Sequence, residues 1–178
     1  MLGVMSEMTP SFHRSVLAAV YRVLKDAPDA VAPDPIGTKD DLLDPHPWHP
    51  AAAQLELLDR CLPEFDGQAA NTLVQLGYEA LRRHRPRLDT TLRARTPCYA
   101  IYSLERLLAR IANYGSVSLI KHRLFDAHID LQMQPSSPAL LSMLEGAILA
   151  ALEHVGATEA TVSHEPHDTG AHFFVRWE

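Results

Sequence analysis

Cysteine is nearly absent from this chain: Cys61 and Cys98 are the only two in 178 residues. They form no CxxC pair and support no disulfide framework, and each falls on an apolar helical face, so both read as reduced core thiols. Long apolar runs are missing as well; no stretch approaches the roughly 18 residues that a membrane-spanning helix needs. The opening MLGVMSEMTPSF lacks the basic-then-apolar order of a secretory signal, and the expected setting is the cytoplasm. Positive charge is scarce: 16 Lys and Arg against 22 Asp and Glu leave a formal net charge of −6. That balance argues against nucleic acid as a bulk partner. There is no Gly-rich phosphate loop, no G-x-S-x-G elbow and no H-E-x-x-H, so the expectation moves from catalysis toward binding.

What is there is ordinary for a globular protein, with 47% apolar and 21% charged residues. The length suits one domain over residues 1–178 with a real core. Charge is unevenly placed. Asp26, Asp29, Asp34, Asp40, Asp41 and Asp44 make one loop acidic, and Arg82, Arg83, Arg85, Arg87, Arg93 and Arg95 cluster later with only Asp89 among them. Such runs are usually solvated, and a latch between them would contribute little per pair. A phosphate or acidic-partner site is the functional alternative.

The helical signals come first. Thr9-Pro10 reads as a cap and first turn of a helix to about Lys25. Residues 26–49 carry prolines at 28, 33, 35, 45 and 47 and no period, which makes them a long loop. Short and long helices follow over about Pro50–Leu62 and Gly67–His84, the second capped by Asp66 and cleanly amphipathic. Thr96-Pro97 opens a further helix to Asn113, with a wide apolar arc and Gly115 beyond it. From Ser116 the period becomes two: Val117 and Leu119, then Ile129, Leu131 and Met133, read as two strands. Ser137-Pro138 opens the last helix and Gly156 closes it. TEATVSH and AHFFVRW then form a hairpin around the turn-rich Pro166–Gly170. The expected class is α+β: a helical layer over about 1–115, then a β-β-α-β-β antiparallel module over about 116–178.

The segment LLSMLEGAILAALEHVGATEATVSHEPHDTGAHFFVRWE carries a helix with L-E-G, a glycine stop, a strand, a polar turn and an aromatic strand ending in Trp. It resembles the C-terminal module of the haem–NO-binding-like superfamily. That group includes gas-sensing haem domains, 4-vinyl-reductase-type ligand-binding domains, TRAPP tethering subunits and a set of myxobacterial proteins of about this length, which fits best. In haem-binding members a histidine on the helix before the first sheet strand ligates iron, and a Tyr-x-Ser-x-Arg motif holds the propionates. Here Pro97–Asn113 contains no histidine, and Tyr102-Ser103-Leu104-Glu105-Arg106 has the wrong spacing. The resemblance thus implies the fold without its best-known cofactor, and no cofactor is expected.

Candidate residues are few. Glu105 lies between apolar positions of the central helix, where a carboxylate must be paired, hydrogen-bonded or raised in pKa. It could anchor a ligand in an apolar pocket with Cys98 and Tyr102 nearby, or pair with an arginine. His13, His84 and His154 sit on or beside apolar arcs, where a histidine bonded to a helix-end carbonyl is the ordinary outcome. His84 is the best alternative axial ligand, with Gly77 and Ala80 leaving room for a flat group. His164, His167, Asp168 and His172 crowd the last hairpin and could hold a transition metal. Ala139, Ser142, Gly146 and Ala150 form a stripe of small residues suited to close helix packing within or between chains. The leading expectation is a non-catalytic, sensory module for a small apolar ligand. The alternatives are a TRAPP-like protein-interaction subunit, working as a homodimer, and an atypical haem-based gas sensor.

Overall fold

The alternation that begins at Val117 builds a four-stranded antiparallel sheet. The computed structural model describes residues 9–13, 48–52, 55, 56, 59, 69–83, 92 and 96–178. In chain order the elements are β1 (Ser11–His13), β2 (Trp48–Pro50), α1 (Ala69–Arg83), α2 (Pro97–Tyr102) and α3 (Leu104–Ile111). They are followed by β3 (Ser116–His122), β4 (Asp126–Gln132), α4 (Pro138–His154), β5 (Thr161–His167) and β6 (Gly170–Arg176). The sheet order is β3-β4-β6-β5, so two hairpins lie side by side, joined by the β4–β6 ladder. Period two then decides the faces. Ala127, Ile129 and Leu131 of β4 and Ala171, Phe173 and Val175 of β6 are buried, while His128, Asp130 and His172 occupy the opposite face. The β3–β4 turn, which sequence left open, lies at 123–125, where Arg123 N–H donates to Asp126 O at 2.7 Å.

Between the hairpins runs α4, apolar on nearly every side and therefore central. Ser137 Oγ accepts from Leu140 N–H at 3.3 Å, with Pro138 at the first turn, and Gly156 at φ +92° ends the helix. The small-residue stripe is used within the chain: Ala139, Ser142, Gly146 and Ala150 are all buried. Its centre meets α1. A Cβ on Gly146 would sit 1.8 Å from Val74 O, and one on Gly77 would sit 1.8 Å from Met143 O. Two glycines, each set against the other helix's backbone, let α1 and α4 cross in near contact.

Three sequence expectations are corrected. Residues 11–13 are not helical; they form β1, paired with β2, and buried Phe12 bridges to Ala112. Asn113 outbids the Thr9-Pro10 cap signal: its Oδ1 accepts from Ser11 N–H at 2.6 Å, and its Nδ2 donates to Thr9 O at 3.1 Å. Residues 14–25 and most of the 26–49 loop lie outside the described residues, as does Asp66. Pro50 closes β2, and the helix that follows is seen at 51, 52, 55, 56 and 59. Finally, 97–113 is not one helix. It breaks at Ser103, whose N–H donates back to Tyr99 O and Ala100 O, both at 3.0 Å.

Candidate functional site

A cavity of about 60 Å³ lies where α3, α4 and the inner face of the sheet meet the end of α1. Each wall follows from a local pattern. On α3 the i, i+3, i+4, i+7 spacing aims Leu104, Leu107, Leu108 and Ile111 inward. Strand alternation brings Val117, Ile129, Leu131 and Phe173, and α4 adds Leu144, Ala147 and Ile148, with Leu81 of α1 at the rim. The described walls are hydrocarbon. One water needs on the order of 10–15 Å³ and two to four polar partners, so this space has room for a few waters and, among the described residues, no polar side chain to hold them. It suits a diatomic gas or another very small apolar molecule.

The residues that sequence proposed for a ligand do not gather there. Glu105 is exposed, as are its neighbours Arg106 and Tyr102. The break at Ser103 explains the error: α3 starts afresh at Leu104, and Glu105 falls about 100° from Leu104, outside the buried arc. Cys98 is a free, half-buried thiol on α2 and does not line the cavity. Gly77 leaves no room for a flat ligand, because the backbone of Met143 fills it. His84, like Cys61 and the arginine cluster from 85 to 95, lies outside the described residues. The cavity itself was legible only in pieces, as a wide apolar arc on one helix and alternating apolar residues on two strands.

Polar chemistry sits elsewhere. His164 points to the helix side of the sheet, where Nδ1 meets Glu145 Oε2 at 2.8 Å, so it stands apart from the other hairpin histidines. On the outer face His167 Nε2 lies 3.0 Å and His172 Nε2 3.5 Å from Asp130 Oδ1. Asp130 therefore takes the place that sequence gave to Asp168, which lies exposed in the turn. Sequence missed it because Asp130 is 37 residues from His167; only the β4–β6 register, Asp130 opposite His172, brings them together. The Asp130 carboxyl is held below its ordinary value, foremost by the amide of Gln132, against an opposing effect of burial, and then by His167 and the charges of His167 and His172. Between α1 and α4, Tyr78 donates its hydroxyl to Glu153, and this bond, with some burial, raises the phenol. A second hollow of about 770 Å³ at the sheet end is lined by Lys121, Arg123 and Arg176 against Asp126, Glu159 and Glu178. Balanced charge gives it no preference for either sign.

No protein-family model matches the chain, and no curated protein does. Solved structures do. The Fe(II) unliganded H-NOX protein from K. algicida, in a point-mutant form, superposes with a TM-score of 0.64 at 12% identity, covering 93% of this chain and 96% of that one. The same protein without that mutation superposes with a TM-score of 0.58 at 15% identity, covering 91% and 87%. The chain therefore has an H-NOX-like α+β fold, and the likeness extends well beyond the C-terminal third that the sequence resemblance rested on.

That fold raises haem, and the described residues do not fit it. The cavity is far smaller than the roughly 300–1,000 Å³ of cofactor-sized pockets. Among the described lining residues there is no imidazole, thiolate, phenol or thioether, and α2 and α3 hold no histidine. Tyr102 and Arg106 lie exposed rather than at its walls.

Proposed function

We propose that this protein is a non-catalytic binding or sensory module that takes a gas-sized apolar molecule directly against hydrocarbon walls. The observation that carries this reading is the cavity beneath α3, whose described lining residues include no polar side chain. An H-NOX-like frame supports it, since the cavity lies between the sheet and the helix that precedes it. Selectivity here rests on size and dryness rather than on hydrogen bonding. An occupant pressing on Leu104, Leu108 and Ile111 bears on a helix whose end is tied to β1. Asn113 N–H donates to Ser11 O at 3.0 Å, and Phe12 bridges to Ala112. Displacement of α3 thus has a route to the N-terminal residues.

The test is an absorbance spectrum of freshly purified protein together with methyl NMR under xenon pressure. The expected result is no Soret band and xenon-dependent shifts of the Leu104, Leu108, Ile129 and Leu131 methyls. Those shifts should be lost in Ala147→Leu, which fills the space from α4. A Soret band that disappears in His84→Ala would replace this reading with a haem sensor of atypical ligation. Absence of both signals would sink it.

A further inference from the structure

We propose that the solvent-facing side of the sheet carries a transition-metal site formed by Asp130, His167 and His172, taking Zn²⁺ or a similar imidazole-preferring divalent ion. Candidate ligand atoms from the three residues all lie within 4.8 Å of one another. Two separations are already those of a coordination polyhedron. An ion with bonds of about 2.0–2.1 Å sets tetrahedral ligands about 3.3–3.4 Å apart. The Asp130 Oδ1 distances to His167 Nε2 and His172 Nε2 are 3.0 and 3.5 Å. The longer one exceeds an ordinary hydrogen bond, so a proton between carboxylate and imidazole does not account for the placement of His172.

The surroundings supply what metal-binding imidazoles need at their second nitrogen. His172 Nδ1 lies 3.3 Å from His128 Nε2, and the His128 ring stacks on Phe174 with centroids 4.6 Å apart. Asp130 Oδ2 accepts from Gln132 Nε2 at 2.8 Å, which leaves Oδ1 for an ion. His167 Nδ1 now accepts the Thr169 N–H at 3.3 Å, which puts its own proton on Nε2. An ion at Nε2 would move that proton to Nδ1, which could then no longer accept the Thr169 N–H; that N–H would have to turn away, with Thr169 Oγ1 at 3.4 Å as the nearby acceptor. The backbone is fixed by pairing: Asp130 is opposite His172 across the β4–β6 ladder, and His167 is opposite Gly170 across β5–β6. A Cβ at Gly170 would lie 1.8 Å from Leu131 O, so the turn that presents His167 is pressed onto β4. Two imidazoles and one carboxylate suit zinc, copper or nickel and not magnesium or calcium. Three protein ligands leave a coordination position open to solvent.

The test is calorimetric titration of the untagged, chelator-treated full chain with ZnCl₂, and with MgCl₂ for comparison. The expected result is one Zn²⁺ per chain and no Mg²⁺ binding. His167→Ala and His172→Ala should each weaken Zn²⁺ by at least about tenfold. His128→Phe keeps the stacked ring but removes the nitrogen beside His172, and should weaken it about 10- to 100-fold. Circular dichroism of each variant shows that the sheet is intact, and Asp130→Asn, which keeps the shape, repeats the test should an alanine variant unfold. The proposal is overturned by absence of Zn²⁺ binding, or by binding that survives these substitutions and so belongs to other histidines among the ten.

Discussion

Replacing Gly146 with alanine sets two opposing magnitudes against each other. In an exposed helix interior, Gly→Ala stabilises by about 1 kcal/mol, because glycine has the most backbone freedom to lose on folding. At Gly146 the added carbon would lie 1.8 Å from Val74 O and 2.8 Å from Tyr78 N, both backbone atoms that no side-chain rotation can move. An ordinary contact needs about 3.4 Å or more, so α1 and α4 would have to part by roughly 1.5 Å along their crossing. Overpacking of a rigid core typically costs about 1–3 kcal/mol, occasionally more. With helix backbone as the obstacle, the upper end applies, and the net expectation is destabilisation by about 2 kcal/mol after the helical gain. Gly77→Ala meets Met143 O at the same distance and should behave alike. Urea denaturation of the two variants measures this directly. Stabilisation of either, or a loss below about 0.5 kcal/mol, would refute the close crossing and the account of α4's small-residue stripe.

Other substitutions probe the polar positions. Glu105→Gln and Glu105→Leu should each change stability by no more than about 0.5 kcal/mol, because the side chain is exposed; a loss of several kcal/mol in chemical denaturation would return it to a buried pair. Tyr78 has its phenol raised above the ordinary 10.0 by its bond to Glu153, so its contribution is complete below about pH 10 and is lost as pH rises through the folded value. Stability curves from pH 8 to 11.5 should therefore fall more steeply for the native chain than for Tyr78→Phe, while Tyr78→Phe costs about 1 kcal/mol at pH 7; parallel curves would remove the bond. In the acid range, the lowered Asp130 gives stability that is present above its ordinary 3.8 and is lost as pH falls through the folded value. Asp130→Asn should flatten that loss below about pH 4, and unchanged acid unfolding would show that Asp130 interacts equally in the unfolded chain.

The sheet module was legible because its information is local. Alternation at Val117, Leu119, Ile129 and Leu131, the Ser137-Pro138 cap and the Gly156 stop each act within a few residues. The helix-to-strand order that they imply is the order found. Errors arose where distant partners decide. Thr9-Pro10 looks like a helix start until Asn113, more than a hundred residues on, claims the backbone of Ser11. A continuous helix over 97–113 placed Glu105 in a buried arc, and one turn at Ser103 undid that placement. The proposed metal site was half legible: hairpin spacing pointed to His167 and His172, whereas strand register supplied Asp130 and pleat alternation turned His164 to the other face. The cavity has no motif at all, since it is the space that aliphatic residues from three layers leave unfilled.

Xenon occupancy in a pressurised crystal tests most directly whether the cavity beneath α3 admits a gas-sized guest. Xenon density is expected between α3, α4 and the sheet, within contact of Leu108, Leu131 and Phe173, and is expected to vanish in Ala147→Leu. Density found only at the surface, with that space empty or filled by a rearranged α3, would contradict the account.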